Sequence, residues 1–154
     1  MSGMRTTTSW LLATAALGWI SLALFCPFAA HMEWTAAPFL YSLFTPVCHQ
    51  SAARSLCLFA KPIAVCARCL GLYCGFWLGL VLFPLMPRLC KHLLVRPRLI
   101  LLFTIPMCLD LLTHNTHASR YFSGLIASFP VALFVWVAAE QFGTSLHRFA
   151  RRST

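Results

Sequence analysis

The sequence predicts an all-α, polytopic membrane protein with four transmembrane helices and one short interfacial or re-entrant segment. Hydrophobic residues make up 60% of the 154 residues and charged residues 10%, against roughly 45–50% and about 25% in ordinary soluble domains. The mean hydropathy is +0.78. A soluble chain of this length cannot bury so much apolar surface, so lipid must cover part of it. We expect one transmembrane domain over 1–154.

Four stretches have the length and composition of membrane helices, since a bilayer core needs about 17–25 helical residues. The predicted spans cover 10–30, 66–86, 99–117 and 121–142. The first has 21 residues and no charge, and the fourth has 22 with Pro130 inside it. The third extends an apolar run over 99–112 that contains Asp110. The apolar stretch 34–47 is too short to span and holds two prolines, which indicates the interfacial or re-entrant piece.

The distribution of basic residues predicts the orientation. The chain has 12 Lys and Arg against 3 Asp and Glu, a net charge of +9. With both termini cytoplasmic, most basic residues fall at the N-terminus, in an inner loop over 87–98 and in a tail over 143–154, and fewer fall in the outer loop 31–65 and beyond. This favours a bacterial inner membrane protein. Because the charges suit topology and anionic lipid, we expect the bilayer as partner and no nucleic acid. A cleaved signal peptide is the weaker alternative, since the first apolar run exceeds the usual length of about 7–15 residues.

A group of cysteines near the start of the second span carries the strongest functional signal. Cys48 and His49 precede a Cys-x-x-Cys pair, Cys66 and Cys69, with Arg68 between its members. These four side chains suit the tetrahedral coordination of zinc or another transition metal, although adjacent residues 48 and 49 need not both reach one ion. Arg68 and the helix dipole favour thiolates, and Arg68 is a poor neighbour for a cation. Two alternatives stay open: redox-active thiols that pass electrons to a quinone or a protein, and a structural disulfide.

Polar residues of the third span are expected at the same membrane surface. Asp110, His114 and His117 fall on one face of a continuous helix and are further candidate ligands. A carboxylate within a bilayer is costly, so Asp110 needs a partner. The alternative interpretation is an ion pair of Asp110 with Arg68 or Arg120.

Three glycines mark a packing surface on the second span. Gly71, Gly75 and Gly79 recur every four residues and form one smooth stripe. Small residues let helix backbones approach closely in lipid. We expect tight packing within the bundle, with a homo-oligomer or a membrane partner as the alternative.

The cysteine motif resembles a known family. Cys48-His49-Gln50, followed by 66–75, which reads Cys-Ala-Arg-Cys-Leu-Gly-Leu-Tyr-Cys-Gly, is similar to the signature Cys-His-Gln then Cys-x-Arg-Cys-x-Gly-x-Tyr-x-Gly of a family of small prokaryotic predicted membrane proteins of unknown function. A later block of that family resembles Pro106, Asp110, Arg120 and Gly124. The likeness covers about 46–124. It implies that the cysteines are a family feature and brings no activity.

A second likeness is architectural. Four spans with an exofacial Cys-x-x-Cys at the start of the second helix resemble the quinone-linked, disulfide-forming membrane oxidoreductases. Those proteins carry another cysteine pair in their second outer loop, whereas 115–119 has none here, so that Cys48 or Cys57 would have to substitute. The three signature cysteines are an odd number, which favours a metal site over complete disulfide pairing.

Overall fold

The computed structural model describes residues 2–82, 85–86, 98–112 and 116–152 and is mostly helical in them. The described helices are α1 (Ser2–His31), α2 (Ala37–Ser42), α3 (Ala67–Leu82), α4 (Arg98–Leu112) and α5 (His117–Arg152). A short 3-10 helix covers Ala52–Arg54, and the strands β1 (Cys57–Leu58) and β2 (Lys61–Pro62) form an antiparallel hairpin. The mainly helical prediction is confirmed, and the hairpin is an addition to it.

Two of the described helices are long and apolar enough to cross a membrane. They are Thr7–His31 within α1, with 25 residues, and His117–Ala139 within α5, with 23. Helices α3 and α4 are apolar but have only 16 and 15 described residues, below the minimum of about 17. The ends of both adjoin residues outside the described part, 83–84, 87–97 and 113–115. The second and third spans, and the inner loop, therefore stay predictions.

The third predicted span, 99–117, is described over Arg98–Leu112, and residues 113–115 lie outside the described part. Helix α5 begins at His117, the last residue of that predicted span. Thr116 caps α5: its Oγ1 accepts the backbone N–H of Ser119 at 3.3 Å, and its carbonyl accepts that of Arg120 at 3.2 Å. These are the contacts of an N-cap residue.

Helices α1 and α3 run antiparallel. The Ser9 hydroxyl, near the start of α1, donates to the carbonyl of Leu80, near the end of α3, at 2.6 Å. Further along, the rings of Trp19 and Tyr73 meet edge to face with centroids 6.4 Å apart. The end of α1 therefore lies beside the start of α3.

Helix α3 packs most extensively against α5, along the glycine stripe. A Cβ atom on Gly71 would overlap the carbonyl oxygen of Tyr121, and one on Gly75 would overlap that of Leu125. Gly79 is buried on the same face. Residues 71 and 75 of α3 contact residues 121 and 125 of α5 in the same order, so α3 and α5 run parallel. Helix α5 thus covers the stripe within the chain. A second copy could contact the stripe only by displacing α5.

The segment 32–65 folds back onto the end of α1 and the start of α3. Helix α1 stops where Glu33 adopts a left-handed conformation (φ 54°) and the N–H of Trp34 bonds to the carbonyl of Ala29 at 3.0 Å, a common way to end a helix. The stretch 34–47 contains the six-residue α2, which is too short to span. A core cluster joins this segment to both helices, and its buried members are Ile20, Ala23, Cys26, Phe44, Cys48, Ile63, Ala64, Val65 and Leu70.

Candidate functional site

Three cysteine side chains meet where the segment 32–65 joins α3. The Sγ atoms of Cys48, Cys66 and Cys69 all lie within 4.8 Å of one another. Cys48 is buried and the other two are half-buried. Within the described residues, this three-cysteine cluster is the one group of three or more side chains arranged to hold a metal ion.

Cys66 lies at the N-terminus of α3 and caps it. Its carbonyl accepts the N–H of Leu70 at 3.0 Å, the first helical hydrogen bond. Its sulfur lies within 4.8 Å of the sulfurs of Cys48 and Cys69. The positive end of the helix dipole at this position favours a thiolate, the form that binds metals and attacks disulfides.

Cys48 reaches the cluster from a turn that follows α2. Its N–H bonds to the carbonyl of Phe44 at 2.9 Å, and its Sγ accepts the backbone N–H of Cys66 at 3.2 Å. A hydrogen bond from a backbone N–H to sulfur stabilises negative charge on that sulfur and fixes its direction.

Two further contacts hold the Cys48 turn in place. The side-chain amide of Gln50 donates to the carbonyl of Tyr41 at 2.6 Å, and the Tyr41 hydroxyl donates to the carbonyl of Pro62 at 2.5 Å. Through Tyr41, the Cys-His-Gln turn is tied to the hairpin that leads into Cys66. Two cysteines 18 residues apart in sequence are brought together in this way.

Arg68 points away from the sulfurs and binds Asp110. Its Nε donates to Oδ2 of Asp110 at 3.1 Å, and Nη2 contacts the same oxygen. The other carboxylate oxygen, Oδ1, accepts the hydroxyl of Ser119 at 3.0 Å. The Asp110 side chain is 2% exposed and that of Arg68 is 21% exposed. Of the two interpretations of Asp110, the structure favours the ion pair, which joins α3, α4 and the start of α5.

Gly124 allows this junction to form. A Cβ atom on Gly124 of α5 would overlap the carbonyl oxygen of Arg68 and come within 3.1 Å of the backbone nitrogen of Leu72. The first turn of α3, which carries Cys66 and Cys69, is therefore fixed on both sides: by the ion pair and by direct backbone contact with α5.

The predicted histidine ligands do not join the cluster. His49 is exposed and lies outside the group of sulfur atoms. His117 is exposed as the first residue of α5, so it cannot share a helical face with Asp110. His114 lies outside the described residues. Of the seven predicted ligands, the structure brings together Cys48, Cys66 and Cys69. Asp110 is not in this group and is instead paired with Arg68.

Sequence reasoning overlooked three residues that organise the site. Ser119 orients the carboxylate of Asp110, and Gln50 and Tyr41 hold the Cys48 turn. Two signals were available: Gln50 belongs to the cysteine motif, and Thr116 with Ser119 has the spacing of a helix cap. No signal in the sequence pointed to Tyr41, because its hydrogen-bond partner is a backbone carbonyl 21 residues away.

The arrangement can hold a soft metal ion with three thiolates. Three convergent sulfurs leave a tetrahedral ion one further position for water, another ligand or a substrate. The same sulfurs can also exchange disulfides, because the sulfurs of Cys66 and Cys69 lie close together at the N-terminus of α3.

Comparisons with known proteins agree with the membrane assignment. Residues 48–134 match DUF2085, described as a predicted membrane protein family. An uncharacterized protein of the archaeon Methanocaldococcus jannaschii is 30% identical over an alignment of 102 residues that covers 62% of this chain. The matched region spans 65% of that relative's length, just under two thirds. No solved structure matches the chain.

The family match begins at Cys48, the first cysteine of the cluster, and extends past Cys66, Cys69, Asp110 and Gly124. It covers more than half of the chain and contains every residue of the cluster and of the ion pair beside it. This chain is a member of the DUF2085 family of predicted membrane proteins.

Proposed function

We propose that this membrane protein binds a transition metal of the zinc type through Cys48, Cys66 and Cys69. The observation that carries the proposal is the convergence of the three sulfurs within 4.8 Å of one another. In a tetrahedral zinc site, a Zn–S distance of about 2.3 Å separates neighbouring sulfurs by about 3.8 Å. A contraction of about 1 Å at most would place all three sulfurs around one ion.

Charge at the site supports a bound cation. The guanidinium of Arg68 is directed at Asp110 rather than at the sulfurs, so the positive charge between the two cysteines is already neutralised. The backbone N–H of Cys66 bonds to the sulfur of Cys48. Ligands held in this way by hydrogen bonds keep their orientation and their basicity.

The fourth coordination position distinguishes the possible roles. A structural zinc site has four protein ligands, whereas a catalytic or exchanging site keeps one position open. The exposed His49, next to Cys48 in the chain, is the nearest candidate in sequence. Because His49 lies outside the group of sulfur atoms, we propose that water takes this position, as in a metal carrier, a sensor or a metal-dependent enzyme. The excess of basic residues in the inner loop and tail supports an inner membrane location with both termini cytoplasmic and the cluster on the outer side.

Metal analysis of the purified protein tests the proposal. The protein is prepared in mild detergent, and metal content is measured together with free thiols before and after reduction. We expect one metal ion per chain, lost in Cys66→Ser and Cys48→Ser. The matched control is Cys57→Ser, because Cys57 is exposed and lies outside the cluster. Protein without metal, even after reduction and incubation with zinc, would contradict the proposal.

A second candidate is a membrane thiol–disulfide oxidoreductase, favoured by the neighbouring sulfurs of Cys66 and Cys69 at the N-terminus of α3. The thiols of Cys66 and Cys69 would be oxidised to a disulfide and release two protons and two electrons. A quinone would take these to become a quinol, or a partner disulfide would take them to become two thiols. A Cys66–Cys69 disulfide that equilibrates with quinone, in protein that binds no metal, would favour this candidate over the first.

A further inference from the structure

Four aromatic rings gather on the last two turns of α1. Phe25, Phe28, Trp34 and Phe59 form this α1 aromatic cluster, with ring centroids 5.7 Å apart for residues 25 and 34, and 5.9 Å apart for residues 28 and 59. The imidazole of His31 stacks on Phe59 at 5.7 Å. Trp34 and Phe59 are each half exposed, at 50% and 51%. The cluster is therefore a surface and not part of the protein core.

The cluster continues the outward face of α1. Ala23, Cys26 and Ala29 are fully buried on one side of the helix. On the other side a row of large apolar residues is exposed, and it includes Trp10, Leu17, Leu24 and Phe25. This row lies in the helix that is long enough to span a membrane, so lipid is what covers it. The aromatic cluster extends that lipid-facing row without a break.

The hairpin folds back along α1 and does not project beyond it. Phe59, at the hairpin tip, contacts Phe28, and Trp34 returns to Phe25, which lies six residues or about 9 Å before the end of the helix. The rings thus lie at the depth of the final helical turns, where a spanning helix meets the headgroups.

The hairpin turn holds Phe59 in this position at a cost in backbone energy. Phe59 and Ala60 both have positive φ, 52° and 59°, the geometry of a tight hairpin turn that favours Asn and Gly. Cationic side chains lie near the tip, since Lys61 follows Ala60 directly and Arg54 is exposed nearby in sequence. Exposed rings beside cations match the composition of membrane interfaces, where rings lie at headgroup level and cations meet phosphates.

We propose that the α1 aromatic cluster inserts into the interfacial layer of the lipid bilayer and anchors the hairpin there. This inference does not depend on a metal. Strand β2 continues through the buried residues Ile63, Ala64 and Val65 to Cys66. Anchoring the hairpin tip therefore fixes the depth of the three-cysteine cluster relative to the bilayer.

Depth-dependent quenching of tryptophan fluorescence tests the proposal. The full chain is reconstituted into phosphatidylcholine vesicles whose acyl chains carry bromine either near the carbonyl end or near the methyl end. The difference between wild type and Trp34→Phe isolates the emission of Trp34. We expect the shallow bromines to remove more of this emission than the deep ones, and aqueous iodide to remove little.

Two further variants complete the experiment. Trp136→Phe is the matched control, because Trp136 is 9% exposed and its emission should resist both quenchers. Phe59→Trp adds a probe at the hairpin tip and serves if Trp34→Phe fails to fold; its additional emission should follow the same pattern. Emission at either position that iodide quenches freely would overturn the proposal. Protection from both iodide and bromine would also overturn it, since protein would then cover the cluster.

Discussion

The chain before Cys66 and the chain after it meet in one cluster but are built in different ways. Before it, the segment 32–65 contains all four described non-glycine residues with positive φ: Glu33, Gln50, Phe59 and Ala60. After it, α3 lies directly on α5, with no room for a single carbon atom at Gly71 or Gly75. The segment 32–65 is irregular and is held by individual hydrogen bonds, whereas α3 is held by backbone contact with α5.

This difference indicates how the cluster can close on an ion. Cys69 belongs to the fixed helix, whereas Cys48 is carried by a turn that depends on Gln50 and Tyr41. A contraction of the three sulfurs therefore requires movement mainly of the Cys48 turn. Changes on the α3 side should cost much stability, and changes at exposed turn positions of the irregular segment should cost little or even stabilise.

The largest effect is expected for Gly71→Ala. The new methyl group would overlap the Tyr121 carbonyl, so α3 and α5 must separate, with a loss of about 3 kcal/mol in unfolding free energy. Gly18→Ala is the matched control, because its Cβ would meet no atom within 4 Å. Denaturant unfolding in detergent measures both. Equal stability of the two variants would show that α3 and α5 are not in backbone contact.

A smaller loss is expected for Asp110→Asn. The variant leaves Arg68 without its counter-charge, which costs about 3–5 kcal/mol for fully buried pairs. Because Arg68 is 21% exposed, we expect about 2 kcal/mol after allowing for solvent screening. The same unfolding assay applies, with Glu33→Gln as the control at an exposed carboxylate. A double variant, Arg68→Gln with Asp110→Asn, should lose less than the sum of the two single variants if the pair is real.

Ser119→Ala should have a weaker effect at the same junction. It removes one hydrogen bond to the carboxylate of Asp110 and leaves the ion pair intact, which predicts a loss of about 1 kcal/mol. Ser42→Ala, whose hydroxyl makes only a local bond at the exposed end of α2, is the control. Unchanged stability in Ser119→Ala would show that this hydroxyl does not stabilise the junction.

The smallest effect, and the one of opposite sign, is expected for Ala60→Gly in the hairpin turn. Ala60 has a φ of 59°, a conformation that glycine adopts without strain. After the entropy cost of glycine, we expect a gain of about 0.5 kcal/mol, measured as a rise in melting temperature. Ala53→Gly, in the 3-10 helix and without a positive φ, should show no gain. A loss in Ala60→Gly would mean that strain at the tip is absent.

The fold class and the position of the cluster could be predicted from the sequence, because apolar runs and a motif of three cysteines are local patterns. The approach of Cys48 to Cys66 also followed from the motif. The hairpin could not be predicted in this way, because Phe59 and Ala60 occupy a type of turn that usually contains Asn or Gly.

The details of the site depended on tertiary contacts. Asp110 could be paired with Arg68 or with Arg120 on sequence grounds, and only the packing of α3 against α5 brings Arg68 to it. His49 looked equivalent to Cys48 as a ligand, but adjacent side chains on a turn diverge, and His49 is exposed. The start of α5 at His117 was missed because the apolar pattern outweighed the cap at Thr116.

The parallel packing of α3 and α5 restricts how often the chain can cross the membrane. Two neighbours that traverse the bilayer in the same direction must be separated by an odd number of crossings, and the described helix between them is the apolar α4. Helix α1 runs opposite to α3. If α1, α3, α4 and α5 each cross once, the start of α1 and the end of α5 lie on the same side of the membrane. Reporter domains fused before α1 and after α5 test this, and we expect both to report the same compartment.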